Sequence, residues 1–143
     1  MIKSVTKYML LAVQSIVVVG LYWLLIRPNT YSYDTALKNG DVVMGASGVA
    51  NVEKLHVFIE NTKRGQAVQI RITAYSKEGS PIIFDLEFDG EIIKCTSDNT
   101  RDRYGITLFK EYGEYNKVTK DERNDYFLID ETGKYEDLWI FQE

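Results

Sequence analysis

The chain has 143 residues, 17 of them basic and 21 acidic, and its 45% apolar content is enough for a core without disulfide or metal staples. Lys3, Lys7 and Arg27 lie near the start, so the rest carries 14 basic against 21 acidic residues, a net of −7. Such a domain is repelled by nucleic acid and by anionic lipid surfaces, and a nucleic-acid role is not expected.

Tyr8 to Ile26 contains no charged residue, and Lys3 and Lys7 precede it while Arg27 and Pro28 follow. Nineteen helical residues rise roughly 28 Å, close to the ~30 Å hydrocarbon core of a bilayer. The stretch is therefore expected to be a transmembrane signal anchor over 8–26, with 1–27 as stub and anchor. Leu24-Leu25-Ile26-Arg27 offers no small-residue cleavage site, which argues against a removable signal peptide. The excess of positive charge before the span places the N-terminus in the cytoplasm and the C-terminal domain outside. The expected location is thus the cell membrane, single-pass. Residues 28–33 read as a linker and 34–143 as one extracytoplasmic α+β domain.

Within that domain Asp34 is expected to cap a brief helix, Thr35 to Lys38, ended at Asn39-Gly40 by a left-handed residue. Asp41 to Met44 reads as a loop or a short edge strand. Asn51 is a good N-cap for a helix that ends before Gly65, with Glu53 in its first turn. Val52, Leu55, Phe58 and Ile59 form its apolar stripe, opposite Lys54, Glu60 and Lys63.

The period then changes to two. Val68, Ile70, Ile72 and Ala74 alternate with Gln69, Arg71, Thr73 and Tyr75, a half-buried strand. Ile82 to Phe88 is a second strand, joined through Asp89-Gly90 to Glu91–Ser97. A two-residue turn there sets Phe88 against Glu91, Phe84 against Cys95 and Asp85 against Lys94. Tyr104 to Phe109 reads as another strand, 113–124 as an exposed charged tip, and 126–129 and 138–141 as the last two strands. The expected fold is a mainly antiparallel sheet of about six strands, one principal helix on one face, behind the transmembrane helix.

The ordered run NGDVV (39–43), NVEKLHVFIEN (51–61), IRITAYSKEGSPIIFDLEFDGEII (70–93) and SDNTRD (97–102) resembles an uncharacterised family of small extracytoplasmic, lipoprotein-like proteins of Gram-positive bacteria. The likeness spans roughly 34–130. It implies the outer side of the cell and carries no activity with it. The chain departs by lacking a cysteine after its apolar run, so a lipid anchor is not expected.

Catalysis by a nucleophile and base needs Ser or Cys near His. His56 lies beside the helix stripe and Cys95 on the buried strand face, so both read as structural. Asp98, Asn99 and Asp102 concentrate oxygen ligands, yet Arg103 and Phe109 stand where a calcium loop needs glycine and an acid. Turn duty is the plain reading, and no metal or cofactor is expected. Arg71, Thr73, Tyr75, Asp85 and Glu87 share one sheet face and, with Asp98, Asn99 and Asp102, are the candidate binding residues. The expected function is a non-catalytic module for a protein or cell-envelope component. The rival is a small hydrolase or glycosidase built on the same carboxylates.

Overall fold

A computed structural model describes residues 8–9, 12–21, 31–102 and 104–143. Residues 8–9 and 12–21 are helical and are labelled α1; α2 (Tyr33–Asn39) and α3 (Val52–Lys63) follow. The strands are β1 (Val42–Gly45), β2 (Gly48–Ala50), β3 (Val68–Tyr75), β4 (Pro81–Phe88), β5 (Ile93–Asp98), β6 (Lys110–Tyr115), β7 (Lys117–Lys120), β8 (Asp125–Ile129) and β9 (Leu138–Gln142).

The α+β class stands, but the expected architecture needs correcting. Among the described residues nine strands form two sheets, a six-stranded one in the order β2-β1-β3-β4-β5-β6 and a three-stranded one in the order β7-β8-β9. The transmembrane helix is overturned as well. No helix among the described residues is long and apolar enough to cross a membrane. Residues 10–11 and 22–26 of the expected span, the stub 1–7 and linker residues 28–30 lie outside the described residues.

Ser32, not Asp34, caps α2, its Oγ accepting the Thr35 N–H at 3.2 Å. Gly40 ends the helix at φ +80°, and the Gly40 and Asp41 N–H groups bond back to the Leu37 and Ala36 carbonyls. This tight stop feeds β1, which is no edge strand: it lies between β2 and β3 and runs parallel to β3 over Val42–Met44 and Ile72–Ala74. The remaining strand pairs are antiparallel.

The helix α3 falls where its apolar spacing predicts, with Leu55 and Phe58 fully buried. Asn51 does not cap it through its side chain; at φ +58° the amide turns away and donates to the Asp41 carbonyl at 2.7 Å. Burying a side chain such as Phe58 stabilises by roughly 1.5–3 kcal/mol. Leu55 and Phe58 share one core with Val42, Ile72, Phe84, Leu86, Ile93 and Cys95 of the large sheet. Tyr126, Leu128, Ile140 and Phe141 of the small sheet complete it.

The β4–β5 register differs from expectation by two residues: Phe88 opposes Ile93, Leu86 opposes Cys95, Asp85 opposes Thr96 and Glu87 opposes Lys94. A type I′ turn needs positive φ at two residues, and in 89–92 only Gly90 has it, at +107°. Asp89 instead accepts the Glu91 and Ile92 N–H groups at 3.1 and 3.0 Å, widening the loop. A shift of two preserves the faces, so the apolar side still meets the core.

Residues 104–109 are not a strand. Asn99 holds them instead, accepting the Phe109 N–H at 2.6 Å and donating to the Thr107 carbonyl at 3.0 Å. Part of the expected charged tip is regular structure, since Tyr115 of β6 is buried and β7 pairs with β8.

Candidate functional site

Strand alternation puts Ile70, Ile72 and Ala74 on the core face and Gln69, Arg71, Thr73 and Tyr75 on the other. The second face is divided. At its β1 end Thr73 is fully buried and donates to Asp41 Oδ2 at 2.7 Å, beside Val43 and Ile83. Tyr31 also donates to Asp41 Oδ2, at 2.8 Å, and Tyr75 donates to the Tyr31 carbonyl at 2.7 Å. The Tyr75 and Tyr33 rings lie 5.9 Å apart. Burial, followed by neighbouring Tyr31 and Asp41, pushes the Tyr75 hydroxyl up to about 12. Thr73 and Tyr75 are therefore held by Asp41 and Tyr31, which flank α2, and by Tyr33 at its first residue, and the expectation that they share an open binding face does not hold.

Beyond them the face opens into a groove of about 960 Å³. Gln69, Arg71, Asp85, Glu87, Lys94, Thr96 and Tyr112 line the sheet side. Asn39 to Asp41 and Glu53, Lys54 and Val57 of α3 line the other. Arg71 grips Asp85 through two bonds, Nε to Oδ1 at 2.6 Å and Nη2 to Oδ2 at 3.0 Å, and lies 5.9 Å from the Tyr31 ring. The Asp85 bond raises the Arg71 pKa further above its ordinary value. Both partners are nearly half exposed, so the pair adds at most about 1 kcal/mol.

Lys94 does not reach Asp85. Its ammonium binds Asp89 at 2.8 Å, and hydrogen bonds from Lys94, Ile92 and Glu91 hold the Asp89 carboxyl far below its usual range. Lys54 donates to the Gly40 carbonyl. The side chains of Glu53 and Glu87 make no hydrogen bond or salt bridge among the described residues, although Glu87, opposite Lys94, is one of the charges that raise the lysine's pKa.

The structure thus brings together Arg71, Asp85 and Glu87 and places Asp98, Asn99 and Asp102 outside the groove. Asp98 accepts from Thr100 and Arg101. Burial raises its pKa, but those bonds and the Arg101 charge outweigh it, leaving the carboxyl below its usual value. Asp102 caps the Tyr104 N–H at 2.9 Å. Sequence reasoning missed Gln69, Lys94, Thr96 and Tyr112. Alternation with Arg71 carried the signal for Gln69. Tyr112 was hidden by the misplacement of β6.

Other reactive groups stand apart. Burial pushes the Cys95 thiol up to about 12. His56 Nε2 lies 3.3 Å from the Tyr126 hydroxyl and 3.6 Å from Glu143 Oε2, and half of its side chain is exposed.

Two sheets around one core, with a charged groove beside the larger, define a small α+β domain. The chain belongs to the family described as Domain of unknown function (DUF4362), which matches residues 39–127. That agrees with the uncharacterised family indicated by the motifs at 39–102. No curated protein and no solved structure matches the chain.

Proposed function

We propose that the domain is a non-catalytic binding module whose groove takes a protein or cell-envelope component on the outer side of the cell. The observation that carries this reading is the groove itself, about 960 Å³, within the size range of natural ligand clefts and floored in part by the Arg71–Asp85 pair. An acid–base pair needs a carboxylate free to exchange a proton with substrate. Asp85 is gripped by Arg71 and Asp98 by Thr100 and Arg101, which weighs against these two carboxylates as the acid–base pair of the hydrolase alternative and leaves it Glu87 alone on the sheet face. The family resemblance supports the extracytoplasmic placement, and fractionation of cells with protease access to the C-terminal domain checks it.

The test is site-specific photo-crosslinking of the full chain in its native cell. A crosslinker at Gln69 or Thr96 is expected to trap a partner, and one at Glu136, exposed and outside the groove, to trap none. Turnover of wall polymers or peptides that Asp85→Asn abolishes at unchanged Tm overturns the proposal.

A further inference from the structure

β3 has eight residues, but β1 pairs only with Ile72, Thr73 and Ala74. One step before Val42 the chain turns away into the Gly40 stop of α2. Among the described residues no strand pairs with Val68 to Arg71 on that side, although β4 pairs with them on the other. Outward-facing backbone groups of this length of β3, about 13 Å, are left without a ladder partner. The groove lies at this notch, lined by residues 39–41, Val68 to Arg71 and α3.

We propose that the groove binds an extended polypeptide segment that adds to the open edge of β3, filling the place β1 vacates; this rests on the groove being the binding site. A strand laid there turns alternate side chains to opposite sides. One set meets Val57, Val68 and Ile70, of which Val57 is exposed and the other two half-buried. The other set meets Gln69, Arg71 and Glu87.

Charge selects the occupant further. The three cations of the lining are committed, Arg71 to Asp85, Lys94 to Asp89 and Lys54 to the Gly40 carbonyl. Among the described residues the Glu53 and Glu87 side chains hold no hydrogen bond or ion pair, Glu87 acting on Lys94 through its charge alone, and the chain beyond Arg27 carries a net of −7. The favoured segment therefore alternates apolar and basic residues. The edge at β6 is unlike this one, because Lys110, Glu111 and Glu114 stud it with charges that blunt strand addition.

The probe is a blocked synthetic heptapeptide of alternating valine and lysine, titrated into the isotope-labelled full chain. Its backbone shifts are expected at Val68 to Arg71, with slowed amide exchange at the alternate residues there whose N–H groups face the open edge. In a strand all valine N–H groups point to one edge and all lysine N–H groups to the other. N-methylation of one set is therefore expected to abolish binding, while methylation of the other changes it by less than about threefold. A valine–glutamate heptapeptide and the Glu53→Lys/Glu87→Lys variant are each expected to bind at least about tenfold more weakly, with Tm unchanged in the variant. Equal effects of the two methylation patterns, perturbations elsewhere, or equal binding of the glutamate peptide overturn the proposal. Crosslinked adducts at Gln69 combined with no edge pairing overturn strand addition alone and leave the groove as the binding site.

Discussion

Asp41 joins the groove to the core. It is 4% exposed, and its carboxylate takes the hydroxyls of Thr73 and Tyr31 while its carbonyl takes the Asn51 amide. Asp41→Ala leaves the buried Thr73 hydroxyl without its acceptor, and removing one side of a buried polar pair costs the full desolvation of the other. The expected loss is about 2–3 kcal/mol in urea unfolding, with the m-value unchanged. Asp130 tests the same logic through pH. Hydrogen bonds from Thr132 and from the Tyr135 and Thr132 N–H groups hold its carboxyl down at about 2, from an ordinary 3.8. A folded-state pKa below the unfolded one gives stability that is present above pH 3.8 and lost as pH falls toward 2. Asp130→Asn is expected to lower Tm at neutral pH, and the gap to the parent protein to close across that window in thermal melts.

At the scale of elements, the stop of α2 decides where the notch opens. Gly40 holds a left-handed conformation, and a Cβ there would sit 2.6 Å from Lys54 Nζ. Gly40→Ala is expected to destabilise by about 1 kcal/mol, since the lysine end can swing aside but the backbone strain cannot. Guanidinium chloride melts measure it. Where periodicity and burial agree, as in α3, β3 and β4, the elements are legible in the sequence. The failures have physical causes. Gly113 to Tyr115, the end of β6, reads as the start of a solvated tip because this edge strand carries charges outward and buries only Gly113 and Tyr115. The apolar letters of 104–109 suggest a strand, but a single side chain, Asn99, takes up the local backbone groups. Half of the candidate face was legible by alternation. Sequence alone could not show that Asp41 and Tyr31, on either side of α2, would take up Thr73 and Tyr75, because those bonds span 32 and 44 positions of the chain.

For the whole molecule, the position of Cys95 provides a reporter. The thiol is 1% exposed within the core shared by α3 and both sheets, and its pKa is pushed up to about 12. The thiolate is the reacting species, so a disulfide reagent is expected to label Cys95 only through opening of the core. Labelling rates in the native protein should then track global stability, falling on stabilisation and rising in Asp41→Ala. Rapid labelling under native conditions, unaffected by that substitution, would show that the small sheet detaches on its own.

The small sheet also bears on where this polypeptide can be cut. The family match closes at residue 127, inside β8, whereas Ile140 and Phe141 of β9 are wholly enclosed. A fragment trimmed to the matched limits loses the lid of its interior along with the Ser32 cap. It should emerge from expression as a sticky, protease-sensitive chain, while one beginning near Tyr31 and retaining residue 143 should give a well-dispersed spectrum.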